Sequence, residues 1–253
     1  MSKIKLSITI ITFNEELNIA RCLDSVKGVA DEIVVIDSFS TDRTEEICKG
    51  YNVRFIKNAF SGHIEQKNFA LEQVSFNHVL SLDADEALSP ELLLSVEALK
   101  ENWKDEAYSI SRLTNYCGKW IRHGSWYPDR KVRLFVKGKG KWAGDNPHDA
   151  YIPDENSITR RLKGDLLHYS YYSTEGHIAQ VNKFTTVGAQ SAFRSGQRAN
   201  ISMLLYKPFY KFIRDYFFKL GFMDGYAGFV IARISAHATF LKYVKLIELQ
   251  KKN

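Results

Sequence analysis

Cysteine is scarce in this sequence, and long apolar runs are absent. Its three cysteines, Cys22, Cys48 and Cys117, lack the paired spacing of a zinc site or a disulfide framework, which is typical of a reducing compartment. No uncharged apolar segment approaches the ~18 residues that span a bilayer. The apolar start, Leu6–Thr12, is short and runs into polar residues, which argues against a signal peptide. We therefore expect a cytoplasmic location.

Glycine-rich phosphate-binding motifs are also missing. The sequence has neither a Gly-x-Gly-x-x-Gly nor a Walker A run, which disfavours a nicotinamide dehydrogenase and a P-loop ATPase. With 253 residues, 45% of them hydrophobic and 25% charged, the composition is that of an ordinary globular protein. The length suits one large α/β domain with an appendage, or two small domains.

Charge is distributed unevenly along the chain. The segment from Arg194 to Asn253 has 11 Lys/Arg and 3 Asp/Glu, whereas the first 193 residues have 24 and 26. The body is thus nearly neutral and the tail strongly basic. Such asymmetry indicates contact with a polyanionic surface, either a membrane or a nucleic acid.

The first hundred residues alternate between strand-like and helix-like patterns. Strands are predicted at Lys5–Thr12, Glu32–Asp37, Val53–Lys57 and His78–Asp83. Helices are predicted at Glu15–Lys27, 42–50 and Gly62–Val74, and another after Ser89-Pro90, with Ser as N-cap and Pro in the first turn. This alternation predicts an α/β fold with a mostly parallel twisted sheet and flanking helices.

Two carboxylates follow the fourth predicted strand. Asp83 and Asp85 flank Ala84 directly after an apolar stretch. An unpaired carboxylate at a buried strand end is costly to desolvate, and a hard cation shared with a diphosphate removes that cost. The alternative is a solvated acidic turn ahead of the helix at Ser89. Contacts with arginine or lysine in place of a cation would speak against the metal–diphosphate site.

Polar residues also follow the first two strands, in Thr12–Glu15 and Asp37–Asp42. Either segment alone can be a helix cap, which is the plainer interpretation of Asp42. Ligands of parallel sheets bind beyond the carboxyl ends of the strands. Three polar strand ends at one edge therefore favour a nucleotide-type crevice.

Beyond residue 107 the pattern changes to short strand-like runs with loops rich in glycine and aromatic residues, before a helix predicted at Thr174–Ser195. Lys119–Lys141 contains eight Lys/Arg and one acidic residue, Asp129. A solvated β-ribbon with basic edges explains this charge as well as a rim for an anionic substrate does.

The tail is rich in aromatic residues, with twelve between Ile201 and Tyr243. A predicted helical stripe contains Phe209, Phe212, Ile213, Tyr216, Phe217 and Leu220, and lysines and an arginine lie off it. This pattern suits the headgroup–acyl boundary of a membrane. The alternative is a helix packed on the catalytic domain. RNA is the less favoured partner because no RNA-recognition signature is visible.

These motifs make the chain resemble family 2 glycosyltransferases with the GT-A fold. The resemblance is carried by Thr12–Glu15, Val35–Ser38 with Thr41-Asp42, Leu82–Glu86, Tyr127–Phe135, Trp142–Asp149 and Asp215–Gly228. The first three segments are specific to the superfamily. The others are similar to the bacterial subgroup that includes glucosyltransferases of the lipopolysaccharide inner core. The resemblance covers nearly the whole chain and implies a GT-A-type sheet with a C-terminal helical, basic-aromatic extension.

The resemblance implies a role for each matched position. Donor and nucleotide contacts are implied for Thr12, Phe13, Glu15, Asp37, Lys67 and Asp83. Asp85, with Asp83 as a second ligand, would hold a divalent metal, Mg²⁺ or Mn²⁺. Asp149 would be the catalytic base. It stands where the family often has glutamate, which shortens its reach and leaves Asp145 as a rival. Gln66, beside Lys67, also departs from the small residue of the family.

Further candidates for contact with the acceptor or with phosphate are Arg130, Arg133, Trp142, His148 and His168. The two arginines are expected on one face of a strand, where they can grip an anion or form plain salt bridges. His168 can be a third metal ligand or a hydrogen-bonded core histidine. Trp142 can stack on a sugar or pack a core.

The sequence thus predicts an inverting, metal-dependent hexosyltransferase that uses a UDP-sugar and a lipid-linked glycan such as lipopolysaccharide core. We expect it to be peripheral at the inner face of the cell membrane and to bind no nucleic acid. Residues 1–195 would form the catalytic domain, with a nucleotide-binding half at 1–105 and an acceptor half at 106–195, and 196–253 a membrane-associating extension. A sugar-phosphate nucleotidyltransferase and a non-catalytic membrane-associated scaffold remain alternatives.

Overall fold

The protein has an α/β fold built on a mixed β-sheet. The structure, a computed structural model, describes residues 3–145 and 148–252, apart from the side chains of Asp145 and His148. The strands are β1 Leu6–Thr12, β2 Glu32–Asp37, β3 Arg54–Lys57, β4 His78–Asp83, β5 Glu86–Leu88, β6 Ala107–Tyr116, β7 Lys119–Trp120, β8 Asp129–Val136, β9 Gly140–Asp145, β10 His148–Pro153 and β11 Thr159–Tyr171. The helices are α1 Ile19–Val26, α2 Thr44–Lys49, α3 His63–Gln73, α4 Pro90–Glu101, α5 Thr174–Arg194, α6 Ile201–Ile213 and α7 Gly225–Lys252. A π-helical turn, Arg214–Phe218, and a 3₁₀ turn, Gly221–Asp224, lie between α6 and α7.

The parallel part of the sheet follows the predicted alternation. Strands β3, β2, β1 and β4 lie side by side and run parallel. Strand β1 is buried along its whole length, as is typical of a parallel strand covered on both faces. The register pairs Thr12 with Asp37 and Ile11 with Asp83, so the carboxyl ends of β1, β2 and β4 meet at one edge.

From β4 onward the order is β4-β8-β6-β11-β5, and β8 runs antiparallel to both β4 and β6, as β5 does to β11. The predicted α/β class is therefore confirmed, with a mixed sheet whose parallel half carries the predicted strand ends. Strand β11 returns beside β5, and its register sets His168 opposite Glu86, next to the acidic segment after β4. Strands β9 and β10 form a separate antiparallel hairpin.

The two faces of the sheet bury different apolar clusters. Alternate residues of β1, such as Ile8 and Ile10, pack with Leu23 of α1, whereas Ile11 packs with the cluster around α3. That second cluster also contains Trp142 of the hairpin. Alternation along a strand sends successive side chains to opposite faces, which explains the division.

The chain forms two compact units, Met1–Arg112 with Asp129–Tyr169, and Leu113–Pro128 with Ser170–Asn253. In the second unit, α5 and α6 both pack against α7. Two glycines permit a close backbone approach there, since a Cβ at Gly228 would overlap the carbonyl oxygen of Gly221. The predicted division at residue 195 stays a prediction. None of the helices within residues 3–145 and 148–252 combines the length and the apolar character needed to cross a membrane.

Local differences from the predicted elements have physical causes. Helix α1 begins only at Ile19 because the chain turns first, with Asn14 at a positive φ of 54°. Asp42 accepts hydrogen bonds from the backbone N–H groups of Glu16 and Thr44, so it caps the start of α2 as the plainer interpretation had it. Ser89 caps α4 as predicted, accepting from the N–H of Leu92.

Candidate functional site

The carboxyl ends of β1 and β2 form the first part of the site. Thr12 and Asp37 are buried, whereas the ring of Phe13 is 56% exposed. Asp37 accepts hydrogen bonds from the backbone and side chain of Ser40, which fixes the loop after β2. Burial raises the pKa of Glu15 to about 7; the hydrogen bond from Asn18 opposes this shift, and the negative charge of Asp85 adds to it.

Asp83, at the end of β4, lies between two cations. Its Oδ2 is 2.8 Å from Nη2 of Arg133, and its Oδ1 is 2.9 Å from Nζ of Lys67. Burial by itself raises the pKa of Asp83, but Arg133 and Lys67 together hold that pKa well below its usual range. The contacts with arginine and lysine that would speak against a metal site are therefore present at Asp83.

Asp85 has a different neighbour. Its Oδ2 lies 3.1 Å from Nε2 of His168. The side chain of Asp85 is partly exposed, and that of His168 is nearly buried. Among the described residues, no cluster of three or more histidine, cysteine or acidic side chains forms a ready-made metal site. Asp85 and His168 thus offer an oxygen and a nitrogen of the kind that bind metal ions. The further ligands of such an ion would have to come from a bound diphosphate.

Asp149 reaches the strand ends through Lys67. The Nζ of Lys67 lies 2.7 Å from Asp149 Oδ2 and 2.9 Å from Asp83 Oδ1. The side chain of Lys67 is 2% exposed and lies with its Nζ 4.6 Å from the centre of the Trp142 ring. Lys67 thus brings the predicted base and the first aspartate of the predicted metal pair to one ammonium group.

An ion-pair network that the sequence analysis missed extends behind Asp83. Arg133 also bonds the buried Glu86 at 2.8 Å, and Arg112 lies between Glu86 and Asp129. The Nε and Nη1 atoms of Arg133 have no hydrogen-bond partner among the described residues. The only sequence signal for this network was a glutamate directly after Asp-Ala-Asp, with arginines in a predicted strand.

The remaining predicted residues are dispersed. Arg130 and Arg133, expected on one face of a strand, differ: Arg130 is exposed and Arg133 buried. The expectation was wrong because residues three apart in a strand point to opposite faces. Trp142 is buried against Phe135 and Tyr151, so its role in acceptor binding stays a prediction. The predictions for the side chains of His148 and Asp145 lie outside the described part of the chain.

The chain is similar in sequence to known glycosyltransferases over most of its length. The family model "Glycosyl transferase family 2" matches residues 7–163. An uncharacterized glycosyltransferase of Rickettsia typhi, RT0209, is 32% identical over 98% of this chain and 89% of its own. LpsC of Rhizobium meliloti, described as a lipopolysaccharide core biosynthesis glycosyltransferase, is 31% identical over 97% of this chain and 93% of its own.

Solved structures also match. A crystal structure of S. aureus TarS, residues 1–349, aligns with a TM-score of 0.48 and 15% identity, covering 98% of this chain and 92% of that one. Glucosyl-3-phosphoglycerate synthase of Mycobacterium tuberculosis, in complex with Mn²⁺, UDP and glucosyl-3-phosphoglycerate, aligns with a TM-score of 0.35 and 24% identity, covering 46% and 45%. The sequence matches are decisive, because they span most of the chain at about one identical residue in three. The chain belongs to glycosyltransferase family 2, and it is a glycosyltransferase.

Proposed function

We propose that this glycosyltransferase is an inverting, metal-dependent hexosyltransferase. It takes its sugar from a UDP-linked donor and adds it to a lipid-linked glycan such as lipopolysaccharide core. One observation carries the proposal: the strand ends at Thr12, Asp37 and Asp83 meet at one edge of the sheet. Asp149, from a separate hairpin, is joined to that edge through Lys67.

The donor would occupy the edge formed by β1, β2 and β4. Phe13 offers an exposed ring on which a nucleobase can stack. Glu15 and the aspartates nearby offer oxygen acceptors for ribose hydroxyls. Asp37 also fixes the wall of this pocket, since its carboxylate accepts a hydrogen bond from the backbone of Ser40 in the loop after β2.

A divalent metal, Mg²⁺ or Mn²⁺, fits beside Asp85. Asp85 Oδ2 and His168 Nε2, 3.1 Å apart, are spaced like two ligands of one ion. Asp83 fits less well, because Lys67 and Arg133 already neutralise it, and we assign it chiefly to the donor side. When bound, the metal stabilises the negative charge that develops on the leaving diphosphate.

Asp149 is the proposed base. Among the described residues it is hydrogen-bonded at Oδ2 only, to Lys67, which leaves Oδ1 for the proton of an acceptor hydroxyl. A single well-placed carboxylate is sufficient to remove that proton as the oxygen attacks the anomeric carbon. One direct displacement inverts the anomeric configuration, by analogy with inverting glycoside hydrolysis.

The acceptor class is supported by likeness and by charge. LpsC, which resembles this chain over nearly its whole length, is described as a lipopolysaccharide core enzyme. The basic segment Lys119–Lys141, with Arg130 exposed, suits an anionic glycan.

We also propose that the second unit contacts the inner face of the membrane. Helix α6 is described in full and has no buried residue. Ile201, Leu205 and Phe209, spaced four residues apart on one side of α6, are 74%, 73% and 69% exposed. A soluble protein rarely exposes such a contiguous apolar surface without a partner.

Charge favours an anionic bilayer as that partner. Asp215 and Asp224 are the acidic residues of segment 201–247, and both are buried in contacts within the second unit. Asp215 pairs with Lys211 and Arg214, and the other five lysines and arginines of that segment face no exposed carboxylate from it. Apolar side chains beside uncompensated cations are typical of an interfacial membrane contact.

The experiment is a panel of UDP-sugars (glucose, galactose and N-acetylglucosamine) with Mn²⁺, in which release of UDP is measured together with UDP affinity by calorimetry. We expect UDP binding that needs the metal and slow hydrolysis of at least one donor. Pyrophosphate-dependent conversion of a UDP-sugar to UTP and a sugar 1-phosphate would indicate a nucleotidyltransferase. An absence of binding and turnover with every donor would indicate the scaffold.

A further inference from the structure

Asp149 lies on a hairpin that, among the described residues, shares no strand pairing with the main sheet. In the described chain, β9 and β10 pair only with one another, in the register that sets Asp149 opposite Gly144. Strand hydrogen bonds to the rest of the first unit therefore do not fix the position of this carboxylate. Side chains have to do so.

Tyr151 of β10 stacks on Phe135 of β8, and two neighbouring residues of α3 add polar contacts to this packing. The side-chain amide of Asn68 donates to the carbonyl of Trp142 at 3.0 Å and accepts from the N–H of Trp142 at 3.1 Å. These two hydrogen bonds satisfy the backbone N–H and carbonyl of Trp142, as a second neighbouring strand would. Lys67, the preceding residue, binds Asp149 on β10.

The ammonium of Lys67 is surrounded by side chains of the protein. Its Nζ lies 2.7 Å from Asp149, 2.9 Å from Asp83 and 4.6 Å from the centre of the Trp142 ring. The side chain is almost completely buried, at 2% exposed. A lysine that binds a donor directly would have to present an N–H group toward the ligand, and this one is directed to groups of the protein.

We propose that Lys67 is a positioning residue, which joins Asp83 at the end of β4 to Asp149 on the hairpin and so fixes the base relative to the donor edge, with Asn68 as the second half of the clamp. This inference rests on the proposed function for the role of Asp149. It departs from the role that the family resemblance implies for Lys67, which is contact with the donor.

Positioning of this kind acts on the chemical step. A general base works only within hydrogen-bond reach of the proton that it removes. A displacement of about 1 Å costs on the order of 100-fold in rate. Loss of the clamp should therefore lower kcat while the affinity for nucleotide is retained, because Asp83 on the donor side keeps its ion pair with Arg133. The other proposed nucleotide contacts, Phe13, Glu15 and Asp37, lie after β1 and at the end of β2.

The test compares Lys67→Met, Lys67→Arg and Asn68→Ala with Lys100→Met. Lys100 is a matched control: it is also buried, and its Nζ is 2.6 Å from Asp31, an acidic residue at the opposite ends of the parallel strands. Each variant is assayed for kcat with the UDP-sugar that wild type hydrolyses fastest, for UDP affinity in Mn²⁺ by calorimetry, and for hydrogen exchange of residues 140–153.

We expect Lys67→Met to lower kcat by about 100-fold with UDP affinity within about twofold of wild type. Lys67→Arg should recover about tenfold of that loss, since it restores the cation. Asn68→Ala should lower kcat and speed exchange in the hairpin. Lys100→Met should lose thermal stability, with kcat and hairpin exchange unchanged.

Several results would overturn the inference. If Lys67→Met weakens UDP binding by the same factor as it lowers kcat, Lys67 is a donor ligand. If kcat and hairpin exchange stay at wild-type values in both Lys67→Met and Asn68→Ala, the clamp does not exist. Should Lys67→Met not fold, the exchange and kcat of Lys67→Arg and Asn68→Ala decide the question. A wild type that binds no UDP contradicts the proposed function, whereas the exchange measurement still reports on the clamp.

Discussion

Asp85 Oδ2 lies 3.1 Å from Nε2 of His168, although 83 residues separate the two in sequence. The contact is produced by β11, whose end pairs with β5 directly after the acidic segment. Two aspartates one residue apart thus acquire different surroundings. Asp83 is neutralised by Lys67 and Arg133, whereas Asp85 faces an imidazole. This difference supports our proposal that a divalent metal binds at Asp85 and His168 and not at Asp83.

Metal-dependent nucleotide binding should therefore depend on Asp85 more than on any other single carboxylate. We expect Asp85→Ala to abolish the gain in UDP affinity that Mn²⁺ provides, because the ion loses its carboxylate ligand. His168→Ala should reduce that gain by about tenfold or more, whether the imidazole binds the ion or orients Asp85. Calorimetry with and without Mn²⁺ measures both effects. Exposed Asp24→Ala is the control, and an unchanged affinity of Asp85→Ala in Mn²⁺ would remove the metal from this position.

The stability of the protein should fall as pH rises through the range in which Glu15 titrates. The pKa of Glu15 is about 7 in the fold, against an ordinary 4.5, so between these values the native state holds a proton that the unfolded chain has released. By linkage, this contribution is fully present below about pH 4.5 and is lost by about pH 7. Glu15→Gln, which stays neutral, should remove that part of the slope.

Urea unfolding at about pH 5 and pH 7.5 measures the effect as a difference between wild type and Glu15→Gln. Glu72→Gln, at an exposed position in α3, serves as the matched control and should keep the wild-type slope. A wild-type slope in Glu15→Gln would show that the carboxyl group titrates normally.

The parallel half of the fold follows from local sequence, and the rest does not. Periodicity, caps and strand-end polarity gave β1 to β4 and their helices within a few residues, because each element is specified by neighbours in the chain. The antiparallel return of β11 depends on pairing across long separations in sequence. Its sequence lacks the long apolar run of a buried strand, so no local signal indicated which strands it pairs with.

The candidate site shows the same limit. Asp83 and Asp85 were predicted from their position after the fourth strand and Asp149 from the family resemblance, but the partners that distinguish them were not predicted. The bridge from Lys67 to Asp149 spans 82 residues and requires the hairpin to lie against α3. The buried Glu86 and Arg133 form ion pairs whose geometry only the folded sheet defines.

Gly228 should be irreplaceable in the second unit. It lies in the first turn of α7, and a Cβ added there would overlap the carbonyl oxygen of Gly221, a backbone atom that has no rotamer to move away. We expect Gly228→Ala to lower the free energy of unfolding by about 3 kcal/mol. Gly188→Ala in α5 is the matched control, since its Cβ would meet only the flexible side chain of Lys242, with Cδ at an ordinary 3.8 Å and Cε at 3.9 Å. That variant should gain up to about 1 kcal/mol from better helix propensity. Equal thermal melting of the two variants would contradict the close approach.

The apolar side of α6 should determine membrane binding. Leu205 and Phe209 project from a helix with no buried residue among its fully described positions, whereas Leu94 of α4, 65% exposed, is a similar exposed leucine in the first unit. We expect Leu205→Asp with Phe209→Asp to lower partition onto vesicles of phosphatidylglycerol and phosphatidylcholine by about tenfold or more, because two apolar contacts are lost and two negative charges meet an anionic surface. Leu94→Asp should bind like wild type. Co-sedimentation at low and high salt measures the partition, and circular dichroism verifies that the variants are folded. If the double variant still co-sediments like wild type while light scattering shows a lost dimer, the apolar side of α6 covers a second copy of the chain instead of a bilayer.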